Sequence, residues 1–246
     1  MEQTKEKRVS KSVAENRRRL EAIFGGSFDM VMRPLVATSG QAILVVFSDG
    51  LVNKTVVAED IVRPFLGYSF VRGEFCPQEL ESIRRQLLSA VDIKPEPLLE
   101  QAAGRCLQGD TAVFIEGFDR ALIIQTRGWQ SRGISPPTSQ QSVRGPKEAF
   151  TETLLFNVAM LRRKIRSPRL KLRMLQMGAT SRTDVCVAYV EGAAKEELIC
   201  EVCRRIGAAE AAYVLESGHV EQLVEDAPGS LFATVGNSEK PDVVAA

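Results

Sequence analysis

The sequence predicts a mixed α/β (α+β) protein of two small mixed-sheet subdomains with packed helices, joined by a linker. Three observations lead to this fold class. The first half contains both β-rich runs and helical periods, and so does the second half. Between them, residues 133–145 read GISPPTSQQSVRG, a small and polar stretch with a double proline and no aromatic residue. Such a stretch is typical of a linker or a long functional loop.

Four helices and four strands are predicted in the first half. Ser12 and Glu15 form a capping box, and Gly25 with Gly26 supplies the stop of the first helix. The predicted helices span residues 12–24, 53–66, 77–91 and 97–107. The predicted strands form two hairpins, residues 28–36 with 41–47 and residues 111–115 with 120–126.

The second half begins with a helix predicted over residues 147–165, where apolar residues recur at spacings of three and four. Strands are predicted at 170–177, 184–190 and 211–215, and helices at 194–206 and 218–225. The strand at 184–190 is apolar on both faces, which predicts a central position in its sheet. No internal sequence repeat is evident.

These elements predict three regions. Residues 1–134 form an N-terminal α/β subdomain, of which residues 1–11 are expected to be disordered. Residues 135–149 form the linker and joint, and residues 150–246 form a C-terminal α/β subdomain. Pro241 opens a further helical pattern that is still incomplete at residue 246, so we expect the sequence to be part of a longer protein.

Composition excludes several classes of protein. Hydrophobic residues make up 44% of the chain and charged residues 26%, which excludes global disorder and collagen-like repeats. The net charge is only +1, so no bulk charge favours nucleic acid or an anionic membrane. The longest apolar run, residues 42–47, is far shorter than the ~20 residues of a membrane span. The N-terminus carries no secretory signal, so a soluble chain is expected.

Cysteine and histidine usage argues against metal and catalytic chemistry. The five cysteines show no disulfide framework, which favours free thiols in a reducing compartment. Cys200 and Cys203 form a C-x-x-C pair, but no second ligand pair exists and the pair falls within a predicted helix, so both are expected to be core thiols. His219 is the only histidine. With no phosphate loop and no nucleophile elbow, neither an enzyme nor a cofactor is expected.

A basic run follows the first helix of the second half. Between Thr153 and Thr183 there are eight basic residues and no acidic one, whereas residues 190–246 contain eleven acidic and four basic residues. Three interpretations stay open. The cations could gather at a helix C-terminus and on a solvated strand face. They could form a nucleic-acid patch, although interleaved aromatic residues are missing. They could dock onto an acidic surface, including the chain's own C-terminal part.

One long segment resembles a known family. Residues 144–178 read RGPKEAFTETLLFNVAMLRRKIRSPRLKLRMLQMG, with a G-P-K-x-x-F-T-E segment, a helix carrying Asn157, a basic run and a strand. This order resembles the spore germinant receptor A-subunit family of GerA type. The likeness continues through Ser181-Arg182-Thr183 and Tyr189-Val190-Glu191-Gly192, and more loosely through Asp29-Met30-Val31.

The resemblance implies that this chain is the cytosolic N-terminal domain of a nutrient germinant receptor A subunit at the inner membrane of the spore. It implies membrane helices beyond residue 246, an integral-membrane B subunit and a lipoprotein C subunit as partners, and a small nutrient, an amino acid or a sugar, as the signal. No cofactor, no metal and no catalysis are implied. The alternative is an assembly or scaffold domain that contacts other receptor subunits and binds no nutrient.

Seven residues are candidates for a ligand or interface site, either fixing the joint or docking a partner subunit. They surround the point where the linker becomes a helix: Arg144, Lys147, Glu148, Glu152, Asn157, Arg162 and Arg163. Glu152 is expected in the first helical turn, where the helix dipole favours a carboxylate. Arg162 and Arg163 are expected near the helix end, where their charge is favoured even without a partner.

Overall fold

The computed structural model describes residues 8–70, 74–86, 93–128, 148–209, 211–226 and 235–246. The chain divides into two compact units. Each contains helices and an antiparallel sheet, which confirms the predicted α+β class of fold. The first unit comprises Met1–Ser131 with Arg166–Pro168, and the second comprises Arg132–Ile165 with Arg169–Ala246. The predicted linker at residues 135–149 lies outside the described residues except for its last two, so its boundaries stay a prediction.

The first unit contains a five-stranded sheet in the order β1-β2-β4-β5-β3, with every neighbouring pair antiparallel. Its strands are β1 (Met30–Val36), β2 (Ala42–Ser48), β3 (Ile93–Glu96), β4 (Asp110–Ile115) and β5 (Ala121–Gln125). Its helices are α1 (Val13–Phe24), α2 (Lys54–Val56, Val57–Val62 and Arg63–Gly67 in succession), α3 (Pro77–Gln86) and α4 (Leu99–Cys106).

Local signals set the ends of α1 as predicted. The side chain of Ser12 accepts a hydrogen bond from the Glu15 N–H and so satisfies one of the free donors of the first turn. Gly25 ends the helix in the left-handed region, at φ 59°, and its N–H donates to the Glu21 carbonyl. The predicted disorder of residues 1–11 is not found at residues 8–11, since Val9 is buried and its N–H donates to the Pro97 carbonyl.

Helices cover both faces of the five-stranded sheet, because successive side chains of a strand point to opposite faces. Ile43 and Val45 of β2 pack in the core with α2 and α3, whereas Leu44 and Val46 pack in the core with α1 and α4. This double coverage explains why β2 is a continuous apolar run. The unit is therefore a three-layer arrangement with the sheet in the middle.

Two features of the first unit were not predicted. The middle of α2, Val57–Val62, is a π-helical segment in which the Arg63 N–H donates to the Ala58 carbonyl. Pro64 follows directly; it has no N–H and its ring would clash with the carbonyl four residues earlier, which accounts for the wider turn. The strand β3 was also missed because it is short and contains Pro95, which only an edge strand tolerates.

The second unit contains a two-stranded antiparallel sheet, β6 (Leu170–Met177) and β7 (Thr183–Val190). Its helices are α5 (Leu154–Lys164), α6 (Glu196–Gly207), α7 (Ser217–Val224) and α8 (Pro241–Ala245). Leu175 and Met177 of β6 pack with Val185 and Val187 of β7 against residues of α6 and α7. No helix in the described part of the chain is both long and apolar enough to cross a membrane.

Two predictions for the second unit were wrong, and a third, the central position of β7, is not met within the described residues. The helix predicted from residue 147 begins at Leu154, and within the described residues β7 pairs only with β6 and is not central. Residues 211–215 form no strand, because their hydrogen bonds go elsewhere. The carbonyls of Ala211 and Ala212 accept from the loop after β6, and the Val214 N–H donates to the Ser181 hydroxyl.

The five cysteines are free thiols in different environments. Cys106 is fully buried, its Sγ donates to the Val46 carbonyl, and burial raises the pKa of its thiol to about 12. Cys200 is exposed, so the expectation that both members of the C-x-x-C pair are core thiols was wrong for it. Its helix, α6, turns that position to solvent.

The cysteines should react with a thiol reagent at very different rates. At pH 8 in the folded protein, Cys200 should be modified first, and Cys106 only after unfolding, because the thiolate is the nucleophile. Mass spectrometry of tryptic peptides after timed alkylation measures both, and Cys200→Ser should remove the fast phase. Alkylation of Cys106 as fast as that of Cys200 in the native protein would contradict this assignment.

Candidate functional site

The seven predicted site residues fall into three groups. Arg144 and Lys147 lie outside the described residues. Glu148 and Glu152 belong to a non-helical stretch before α5, residues 148–153, which we call the pre-helix segment. Asn157, Arg162 and Arg163 lie on α5. The expectation that Glu152 lies in the first helical turn was wrong, since it precedes the N-cap residue Thr153.

Asn157 explains why α5 begins late. Its Oδ1 accepts from the Thr151 N–H at 2.7 Å, and its Nδ2 donates to the Thr151 carbonyl at 2.6 Å. These two bonds use the backbone groups of Thr151 that an extended helix would have needed. A half-buried amide needs hydrogen-bond partners, and Thr151 supplies one for its donor and one for its acceptor.

Glu148 contacts the other end of the same helix. Its carboxylate lies 3.6 Å from Arg163 and 3.2 Å from Lys164, with all three side chains partly exposed. Because the eleven residues of α5 are about 16 Å long, the pre-helix segment runs back alongside the helix. The pairs add little stability individually, but they hold one end of the segment near the C-terminal cations of α5.

The pre-helix segment is also tied to the beginning of α8. The Phe150 N–H donates to the Glu239 carbonyl at 2.8 Å, two residues before α8 starts at Pro241. Glu148, Phe150 and Thr151 are therefore each held by a different contact. Glu152, between these contacts and α5, is exposed to solvent.

Arg162 differs from its neighbour Arg163. Only 1% of its surface is exposed, it is the largest fully buried side chain in the described part of the chain, and one guanidinium N–H donates to the Leu170 carbonyl at 3.0 Å. Arg162 lies in the last turn of α5, as predicted, but it is buried there and bonded to backbone, so it does not depend on the helix dipole alone. It links α5 to the first residue of β6 from inside the unit.

Other members of the basic run pair with the chain's own acidic C-terminal part. Lys171 lies 3.6 Å from Glu191, and Arg173 lies 3.6 Å from Glu196 and over the ring of Tyr189. These contacts favour the third of the three interpretations, docking of the run onto an acidic surface, with the acidic partner inside the same unit.

Within the described residues, the metal-ligating side chains form no metal centre, and the single histidine is bonded to backbone. His219 accepts a hydrogen bond on Nδ1 from the Leu215 N–H at 3.4 Å, so this nitrogen is engaged by backbone. No group of three or more His, Cys, Asp or Glu side chains within the described ranges could hold a metal ion. What the pre-helix segment offers instead is a mechanical connection between α5 and the residues that lead into α8.

Reasoning from sequence missed three members of this arrangement: Thr151, Lys164 and the Glu239 carbonyl. The hydroxyl of Thr151 accepts from the Thr153 N–H, a common turn that the T-x-T spacing could have indicated. Lys164 was counted only in the basic run. The Glu239 carbonyl lies far along the chain, and no local pattern reveals such a contact.

Replacing Asn157 with Ala should lower the free energy of unfolding by about 1–3 kcal/mol, because the Thr151 N–H and carbonyl lose their partners in a half-buried position. Urea denaturation followed by circular dichroism measures the change. Gln176→Ala is the matched control, since its amide bonds to Asp184 at an exposed position, and we expect a change within about 0.5 kcal/mol. Equal effects of the two substitutions would show that the Asn157 bonds add nothing.

Comparison with solved structures identifies the class of protein. The crystal structure of the N-terminal domain of the A subunit of the Bacillus megaterium spore germinant receptor GerK3 superposes with a TM-score of 0.72 and 26% sequence identity. The match covers 97% of this chain and 88% of that one. The fold is therefore that of a germinant receptor A-subunit N-terminal domain.

Sequence comparison identifies the family. The family described as Bacillus/Clostridium GerA spore germination protein matches residues 18–246. Spore germination protein KA of Bacillus subtilis (strain 168) is 31% identical over 96% of this chain and 43% of its own length. GerLA of Bacillus cereus is 30% identical over 90% of this chain and 45% of its own.

The chain belongs to the GerA family of spore germination proteins, which confirms the resemblance drawn from residues 144–178. It spans less than half the length of these curated relatives. The family is described by spore germination and not by an enzymatic activity.

Proposed function

We propose that this chain is the cytosolic N-terminal domain of a nutrient germinant receptor A subunit, and that it takes part in germinant sensing and in the signal that triggers germination. The observation that supports this is the pre-helix segment. It is bonded to α5 through Asn157 and to the residues before α8 through Phe150. A displacement of the pre-helix segment therefore acts on both helices.

We propose the remaining parts of the receptor from the resemblance to the family. The proposed partners are an integral-membrane B subunit and a lipoprotein C subunit, at the inner membrane of the spore with this domain on the core side. The proposed signal is a small nutrient, an amino acid or a sugar. We propose no enzymatic step and no cofactor, because the family is described by spore germination and the described residues contain no group that could hold a metal ion.

The second candidate is an assembly domain that binds no nutrient and holds neighbouring subunits. The observation that favours it is the exposed apolar surface of the second unit, where Leu198, Tyr213 and Leu215 are each more than half exposed. Calorimetry of this chain against a panel of amino acids and sugars separates the two. Saturable heat with one nutrient supports sensing by this domain, and silence across the panel supports assembly.

Charge reversal in the pre-helix arrangement tests the proposal. Glu152→Lys and Arg163→Glu should leave the chain folded, because both side chains reach solvent, and should impair germination in the intact receptor. Arg163→Glu places two carboxylates beside each other where Arg163 now faces Glu148 at 3.6 Å. Nutrient-triggered loss of optical density by spores gives the germination rate, and a thermal melt reports the fold.

Glu197→Lys on the exposed first turn of α6 is the matched control and should germinate at the normal rate. If spores carrying either reversal germinate at the rate of the unaltered receptor, the two residues are only exposed helix charges with no role in signalling. Stability should then change by at most a few tenths of a kcal/mol, as expected for exposed helix charges.

A further inference from the structure

The hydrogen bonds at the beginnings of the two units are the same. In the first unit, Oδ1 of Asn16 accepts from the Ser10 N–H at 2.8 Å and Nδ2 donates to the Ser10 carbonyl at 2.6 Å. Asn157 and Thr151 make the same pair of bonds, at 2.7 and 2.6 Å. Both asparagines lie six residues after their partners and 141 positions apart.

A second shared contact joins each beginning to a later helix. The Val9 N–H donates to the Pro97 carbonyl at 2.9 Å, and Pro97 lies two residues before α4. The Phe150 N–H donates to the Glu239 carbonyl at 2.8 Å, two residues before α8. Pro97 and Glu239 are 142 positions apart, so α8 is the counterpart of α4.

The hairpins also correspond. Shifted by 140 positions, β1 falls on β6, and shifted by 142, β2 falls on β7, because the second ladder has one more residue pair, Met177 with Thr183. Equivalent side chains pack against the two helices that follow each hairpin. They are Leu35, Ala37, Ile43 and Val45 in the first unit and Leu175, Met177, Val185 and Val187 in the second. The described part of the second unit thus repeats the first helix, the first hairpin, the two helices after it and the start of the last helix of the first unit.

The copies differ at one strand edge. The outer edge of β2 pairs with β4, which follows α4, whereas within the described residues β7 pairs only with β6. The Glu191 N–H donates to the Arg169 carbonyl, so residues 169 and 191 form a hydrogen-bonded pair. Hydrogen-bonded and non-hydrogen-bonded pairs alternate along an antiparallel ladder, so every second amide of β7 faces β6. The amides of Asp184 and Ala188 therefore face away from β6. Ala188 is exposed, while its counterpart Val46 is fully buried.

We propose that the outer edge of β7 is a docking site for an antiparallel β-hairpin of the same subunit, the counterpart of β4 and β5. Shifted by 142 positions, Asp110–Gln125 falls beyond residue 246, directly after α8. Relatives are long enough to contain such a segment, since this chain spans only 43% of spore germination protein KA. This proposal rests on the repeat and does not depend on the proposed function.

The same subunit is the fitting source because the first unit supplies its own hairpin. In that unit only three residues separate α4 from β4, so the hairpin is delivered to β2 by a short connection. The hairpin would form backbone hydrogen bonds with the outer edge of β7, as neighbouring strands of a sheet do. Backbone N–H and C=O groups would therefore recognise the hairpin. A second copy of the chain or another subunit could reach the same edge, and the test separates these sources.

Residue-resolved hydrogen exchange on the full-length subunit tests the docking. The Ala188 amide should exchange as slowly as the Val46 amide, on the order of 100-fold more slowly than the Met32 amide, which faces the outer edge of β1, an edge strand among the described residues. Protection should persist on dilution. Exchange of Ala188 at the rate of Met32 would overturn the proposal, and protection that is lost on dilution would overturn the intrachain source.

Proline substitutions in the full-length subunit give a second readout. Met174 is the β6 counterpart of Pro34 in β1, and its amide faces outward, so Met174→Pro should accumulate like the unaltered subunit. Ala188→Pro removes an outward amide from β7 and should reduce the folded subunit several-fold. If both variants accumulate like the unaltered subunit, the proposal is contradicted. If neither variant accumulates, the hydrogen-exchange rates of Ala188 and Met32 decide.

Discussion

Replacing Arg162 with Ala should lower the free energy of unfolding by about 3–5 kcal/mol, among the largest effects expected for a single side chain. The substitution leaves a cavity where the largest fully buried side chain now lies. It also removes the donor to the Leu170 carbonyl at 3.0 Å, at the point where β6 begins. Urea denaturation monitored by circular dichroism gives the change directly.

The neighbouring residue provides the control. Arg163→Ala removes a cation of the same type from the same helix, but its side chain is 29% exposed and pairs with a partly exposed Glu148, so the expected loss is below about 1 kcal/mol. Arg162→Lys keeps a charge without the planar fork and should fall between the two. Similar losses for Arg162→Ala and Arg163→Ala would show that the buried position of Arg162 is not what stabilises the unit.

Replacing Asp110 with Ala should lower the stability of the first unit by about 3 kcal/mol. The carboxylate is fully buried at the start of β4. It accepts from Arg105 at 2.7 Å and from two nitrogens of Arg127 at 2.9 and 3.2 Å. Without it, two guanidinium groups are left beside each other with no counter-charge between them. The expected loss of stability is at the lower end of the ~3–5 kcal/mol range for breaking a buried ion pair, because both arginines still reach solvent.

Asp119→Ala tests whether the stability loss expected for Asp110→Ala comes from the burial of the carboxylate or from its charge pairing alone. Asp119 also pairs with an arginine, Arg120 at 2.9 Å, but its side chain is 46% exposed. The expected loss is below about 1 kcal/mol. A loss equal to that of Asp110→Ala in denaturant titrations would refute the argument from burial.

The contrast between Arg162 and Arg163 also decides how germination experiments should be interpreted. A variant at Arg162 loses germination if the second unit unfolds, whatever the domain does in signalling. Variants at Glu152 and Arg163 leave the interior of the unit intact, so a germination defect there reports on function. The pre-helix segment is therefore better tested at its exposed charges.

Much of the secondary structure could be predicted because its signals are local. Ser12 and Gly25 set the ends of α1 through bonds to residues three and four positions away. The turn at Thr38-Ser39-Gly40 joins β1 to β2, with Gly40 at φ 81°, as a glycine in a tight hairpin turn allows. The α+β class and the family followed from such patterns and from the order of residues 144–178. Five of the seven candidate site residues lie in the described part of the chain, in the pre-helix segment or on α5, and their role stays a prediction.

The tertiary structure decided what depends on distant partners. Sequence periodicity carried the helix back to residue 147, but the Asn157 amide bonds to Thr151 and stops it at Leu154. Apolar residues on both faces predicted a central β7. A strand's place in a sheet depends on which strands pair with its edges, and β7 pairs only with β6 in the described residues. The correspondence of β7 with β2, which pairs on both edges, became visible only in the tertiary structure. Arg162 and Arg163 are neighbouring residues of the same type, so the sequence does not distinguish them. The structure does, because α5 turns Arg162 into the interior and Arg163 towards solvent.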